Sequence, residues 1–210
     1  MKGMIILLFL IFIQSIKINS NEIITIENLN CLHVNLLSKL TCSESKQKTF
    51  FNMNNFPKVK ILFANNCEIE LIEEYTFSNF SQLEILDIKS NKIESFALNS
   101  FYGLRNLINL NMNENRIRMI KNQSFLGLDN LKKLDLKLNL IEFIEEEGFY
   151  GLFSLNELDL SQNKIKIIKN KYFFKLNNLK KLNLLLNSIE SIQENEENAF
   201  HGLFSLSELV

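Results

Sequence analysis

A phrase of apolar residues returns every 24 positions along this chain. Leu83, Leu107, Leu131, Leu155 and Leu179 mark it. Each opens the same pattern: LEILDIKSNKI, LINLNMNENRI, LKKLDLKLNLI, LNELDLSQNKI and LKKLNLLLNSI. An earlier copy, VKILFANNCEI, starts at Val59, and a last one, LSELV, starts at Leu206. A phenylalanine keeps a fixed place in every full copy, at Phe77, Phe101, Phe125, Phe149, Phe173 and Phe200. The final step is 27 residues because QENEENAF carries three extra. A fixed period of this length specifies a stacked array of similar units, since one unit alone cannot bury its own apolar face.

Alternation inside each phrase, as at Leu110 and Met112, predicts a short strand with one side turned to a core. Stacking then lets neighbouring units pair strands and share that core. An asparagine follows each strand at Asn91, Asn115, Asn139, Asn163 and Asn187. The chain must turn inward there, which leaves backbone N–H and C=O groups facing a dry interior. A carboxamide has two donors and one acceptor oxygen, so a single Asn can serve both kinds of group. The column is therefore expected to be a structural ladder with no chemistry of its own.

The frame LxxLxLxxNxIxxIxxxxFxxLxx resembles the leucine-rich repeat in its 24-residue extracellular form, over residues 59–210. The resemblance implies an α/β-type solenoid: a horseshoe with a parallel concave β-sheet and an irregular convex side stacked on a phenylalanine spine. It also implies kinship with insect extracellular leucine-rich repeat proteins and Toll-like receptor ectodomains. The expected organisation is a signal peptide at 1–20, an N-terminal cap at 21–58, and repeats at 59–210 as six full copies and a truncated seventh.

The N-terminus carries Lys2, an apolar run from Met4 to Ile13, and then the polar residues Gln14, Lys17 and Asn19. That order predicts a leader cleaved after Ser20, on a run too short to span a bilayer comfortably. Cleavage removes Lys2 and Lys17 and takes the formal charge from −1 to −3. No other apolar run approaches the length of a membrane span. The expected location is secreted, or the extracellular part of a membrane receptor. In an oxidising compartment the three cysteines become informative. Cys31 and Cys42, 11 positions apart, are expected to close a small disulfide loop in the cap. Cys67 takes the first place of the asparagine column, either as a buried thiol or as a disulfide partner.

In a curved array of this family the third, fifth and seventh residues of each phrase face outward on the concave side. The candidate ligand-binding residues are Ile61, Phe63, Ile85, Asp87, Lys89, Asn109, Asn111, Lys133, Asp135, Lys137, Glu157 and Asp159. They are mixed in charge, with apolar and aromatic members at one end, a composition suited to a protein ligand or co-receptor. The whole chain has 23 basic and 24 acidic residues, which does not suggest a nucleic-acid partner. Sequons at Asn79 and Asn122 predict glycans away from the concave strands. No nucleophile motif, phosphate loop or metal-ligand spacing appears, so neither enzyme activity nor a cofactor is expected.

These features lead to a secreted recognition protein, with a role in innate immunity or cell-surface signalling implied by the resemblance. The alternative is the N-terminal part of a Toll-like or adhesion receptor ectodomain, because the last phrase stops at Val210 without a cap. Dimer formation is expected to use either Cys67 or that uncapped C-terminal edge.

Overall fold

The computed structural model describes residues 60–169, 171–192, 200 and 202–210, together with the backbones of three strands nearer the N-terminus, Ile16–Ile18, Ile23–Glu27 and Thr49–Phe50. The chain is a solenoid. One strand per coil enters a long sheet: Ile61–Asn65, Ile85–Asp87, Asn109–Asn111, Lys133–Asp135, Glu157–Asp159, Lys181–Asn183 and Glu208–Leu209. These strands pair parallel and in sequence order, with Leu62, Leu86, Leu110, Leu134, Leu158, Leu182 and Leu209 in one register row. The 24-residue period therefore becomes a spatial translation from one coil to the next.

Alternation decides the strand faces. In Asn109–Asn111 only the central Leu110 is buried, and Met112 just beyond it turns inward too. After each strand the backbone enters the left-handed region at one residue: Ser90, Glu114, Leu138, Gln162 and Leu186 have φ between 53° and 55°. For residues with a Cβ this conformation costs about 1–2 kcal/mol. The amide of each of the first four donates to a carbonyl of the following coil, for example Leu138 N–H to the Ser161 carbonyl at 3.1 Å. The costly turn is thus held by stacking.

The convex return consists of turns and two-residue strands, and no helix occurs among the described residues. The solenoid with its irregular convex side is as expected. Each return spends its residues on successive tight turns closed by bonds such as Phe80 N–H to the Phe77 carbonyl. The phenylalanines stack as a spine. Phe77, Phe101, Phe125, Phe149, Phe173 and Phe200 follow at centroid distances of 6.1, 5.9, 5.8, 6.2 and 6.0 Å, with ring planes within 15° of parallel. Phe77 to Phe173 are buried, and Phe200 is partly so.

Nearer the N-terminus, Ile23–Glu27 pairs parallel with Ile61–Asn65, and Thr49–Phe50 pairs parallel with Leu71–Ile72. The segment expected to cap the array thus repeats the two strand positions of a coil. Ile16–Ile18, within the expected leader, pairs antiparallel with Ile23–Glu27. Cys31 and Cys42 lie outside the described residues, as do residues 193–199 of the insertion. Among the described residues, no helix is long and apolar enough to cross a membrane.

Candidate binding face

The ladder asparagines set the edge from which the concave face is presented. Asn139 is 4% exposed. Its Oδ1 accepts from the Ile117 amide at 3.1 Å, and its Nδ2 donates to the Met112 and Leu136 carbonyls at 3.0 Å each. Asn115 and Asn163 make the same bonds one coil to either side, with Ile93, Ile88 and Met112, and with Ile141, Leu136 and Leu160. Asn187, half-buried in the last full coil, reaches the Ile165 amide and the Leu160 and Leu184 carbonyls. Asn91 takes two amides, Cys67 at 2.8 Å and Ile69 at 3.2 Å.

Cys67 itself is 3% exposed, with its Sγ 3.3 Å from the Asn65 carbonyl. That burial corrects the expectation of a dimer linked through Cys67: a thiol packed in the core cannot meet a second chain without opening the coil.

All the concave candidates are brought onto one sheet face. Ile61, Ile85, Asn109, Lys133 and Glu157 form one register row, and Phe63, Asp87, Asn111, Asp135 and Asp159 form the next. Lys89 and Lys137 stand just past the strand ends. Lys133 and Glu157 are exposed and paired at 3.1 Å, while the others are half-buried. At the far end Lys181 meets Glu208 at 2.7 Å. That hydrogen bond, followed by the carboxylate's charge, raises the Lys181 ammonium above its ordinary range. Between the last full strands lies a depression of about 290 Å³ lined by Lys133, Asp135, Glu157, Asp159, Lys181 and Asn183.

The central row also has a structural task that sequence reasoning missed. The Oδ1 of Asp87, Asn111, Asp135, Asp159 and Asn183 accepts the backbone N–H two residues on, at 3.2, 3.1, 3.0, 2.8 and 3.1 Å. Each side chain closes an Asx turn where the strand ends. The recurrence of Asp or Asn in that column was the available signal. A carboxylate keeps a second oxygen for other contacts: Asp135 Oδ2 receives Asn113 Nδ2 at 3.3 Å, and Asp159 Oδ2 receives Asn183 Nδ2 at 3.1 Å.

A second asparagine ladder was also missed. Asn106, Asn130 and Asn178 are exposed, and each donates to a carbonyl 25 residues earlier, those of Ser81, Arg105 and Phe153, at 2.7–2.8 Å. Their shared offset of two residues after the convex leucine, as in LRN and LDN, was the sign.

The sequon residues Asn79 and Asn122 lie away from the concave strands. Among the described residues no cluster of His, Cys, Asp and Glu is arranged to hold a metal ion.

The family model described as leucine rich repeat matches residues 57–117 and 105–165. Chains of solved structures also match. One, titled as the crystal structure of a TLR13–ssRNA13 complex, is 30% identical with a TM-score of 0.68. The match covers 78% of this chain and 23% of that one, so the present chain spans under a quarter of its length. No curated protein matches.

Proposed function

The chain belongs to the leucine-rich repeat family, and from that premise we propose that it is a secreted recognition protein that binds a protein ligand on its concave sheet. Leucine-rich repeat and Toll-like ectodomain folds are generally non-enzymatic binding scaffolds. The observation that carries the reading is the balance of charge on this face. Over the three concave columns from Ile61 to Leu185, four lysines (Lys89, Lys133, Lys137, Lys181) stand against four acids (Asp87, Asp135, Glu157, Asp159). Ile61, Phe63 and Ile85 add an apolar patch at one end. Mixed charge beside apolar anchors is the anatomy of a protein interface.

The TLR13 structure holds single-stranded RNA. A phosphate backbone is bound by excess cations and by aromatic stacking platforms. The concave face here has no net positive charge, and a single ring, Phe63, at one end. We therefore keep a protein as the ligand and RNA as an outcome of the test. The likeness to a stretch of a receptor ectodomain supports a second reading, in which this chain is part of such a receptor. Roles in innate immunity or cell-surface signalling belong to either reading.

The experiment compares substitutions that spare the turns. Asn109→Arg and Lys137→Glu alter the concave face without touching an Asx side chain, and Glu146→Lys serves as a control off that face. Capture of extracellular proteins on the immobilised chain is quantified for each, beside titration with a single-stranded RNA oligonucleotide. A protein ligand held at least about tenfold less by the concave variants, and equally by the control, is expected. Capture indifferent to the concave substitutions, or salt-sensitive RNA binding that Lys137→Glu weakens, overturns the reading.

A further inference from the structure

One flank of the solenoid has a pattern that the concave reading does not use. The two-residue strands Met119–Ile120, Phe143–Ile144 and Ile167–Ile168 bury Ile120, Ile144 and Ile168 and turn Met119, Phe143 and Ile167 outward. Those three are 39%, 57% and 41% exposed, and by the 24-residue period they form one apolar column. Charged columns run on both sides of it. One reads Glu94, Arg118, Glu142, Lys166, Glu190, alternating in sign at every step. The other reads Lys121, Glu145, Lys169. Among the described residues, Arg118, Lys121, Glu142, Lys166 and Lys169 make no salt bridge within 4.0 Å. Glu145 accepts the Asn122 amide.

We propose that this flank is a self-complementary interface on which a second copy of the chain docks antiparallel, about a two-fold axis between the coils of Phe143 and Ile167. Charge selects this arrangement. A parallel two-fold would set the two charged columns against each other within the same coil, Glu142 on Glu145 and Lys166 on Lys169. The antiparallel two-fold sets each column against its own reverse. Glu142 then meets Lys166 of the second copy, Glu145 meets Lys169, and Arg118 meets Glu190. Phe143 packs on Ile167 at the centre. The apolar column supplies the contact, and the flanking charges supply orientation and register. The interface is independent of the concave face and leaves it open on both copies.

The test is sedimentation equilibrium of the full chain, produced without N-glycans because the Asn122 sequon borders the flank. The wild type is expected to show a monomer–dimer equilibrium that weakens as salt is raised. Phe143→Asp, Glu142→Lys and Lys166→Glu should each raise the dissociation constant at least about tenfold. The double variant Glu142→Lys with Lys166→Glu should restore pairing, because each exchanged charge again meets its opposite across the axis. An axis one coil earlier would set Arg118 against the lysine introduced by Glu142→Lys, so the double variant would stay apart. Circular dichroism checks that each variant is folded, and the double variant keeps the test sharp if Phe143→Asp is not. A monomeric wild type, a dimer indifferent to these residues, or a double variant without recovery overturns the proposal.

Discussion

Asn139 Oδ1 lies 3.1 Å from the backbone nitrogen of Ile117, 22 residues earlier, and is the acceptor for that buried amide. One side chain therefore ties two coils together. Its Nδ2 joins both coils again through the Met112 and Leu136 carbonyls.

Replacing Asn139 by Ala orphans the Ile117 amide in a site closed to water, while the Met112 and Leu136 carbonyls each keep a second donor, Asn115 Nδ2 and Asn163 Nδ2. Each unsatisfied buried group costs about 1–3 kcal/mol. Asn139→Ala is expected to lower unfolding stability by about 1–3 kcal/mol. Asn187→Ala, at a half-buried position, should cost less. Urea denaturation followed by far-ultraviolet circular dichroism ranks the two, and equal losses would contradict the role given to burial.

Phe125 stacks on Phe101 at 5.9 Å and on Phe149 at 5.8 Å and is fully buried. Phe125→Ala removes both contacts and leaves a cavity, at a cost of about 3–5 kcal/mol. Phe153, exposed on the same convex side, should tolerate Ala with a loss below about 1 kcal/mol. Thermal melts of the two variants make the comparison.

Glycines at one position of the convex turn separate backbone strain from crowding. Gly103 and Gly127 both have positive φ, 98° and 93°. A Cβ on Gly103 would stand 2.7 Å from the Ser78 carbonyl oxygen and 2.8 Å from its Cα, whereas a Cβ on Gly127 meets nothing within 4 Å. Both Ala variants are expected to be destabilised by the left-handed backbone, by about 1 kcal/mol, and Gly103→Ala by more. Denaturation midpoints falling in the reverse order would refute the crowding at Ser78.

Tyr172 is buried, and its desolvated phenol is held above the ordinary value of 10.0. The unfolded chain releases this proton near 10 while the folded chain keeps it. Stability therefore falls as pH rises above that value. Tyr172→Phe removes this ionisation, so its melting temperature should decline less between pH 9 and about 11 than that of the wild type. Parallel decline in both proteins would show that Tyr172 is not the group responsible.

Much of the architecture was legible because the period is a direct record of the fold. Leu83 to Leu179 repeat at 24 residues, and the coils repeat with them. The ladder asparagines were legible for the same reason, since a polar residue recurring inside an apolar frame must meet polar backbone. The concave columns followed from two-residue alternation. The Asx turns were not seen, although Asp87, Asn111 and Asp135 were singled out. Their amide partners are two residues away, and only backbone geometry shows that the side chain bends back to them.

By itself, the sequence determined that this chain stacks, where each coil turns, and which residues enter the core. These follow from an apolar pattern that alternates within each coil and recurs at a fixed 24-residue period. The tertiary structure alone decided what the coils make together. Asn106 reaches the Ser81 carbonyl, the phenylalanine rings lie nearly parallel, and Met119, Phe143 and Ile167 align between two charged columns. Each of these relations joins residues about one repeat apart. They exist only once strand pairing has brought successive coils into contact and turned a spacing in sequence into a neighbour in space.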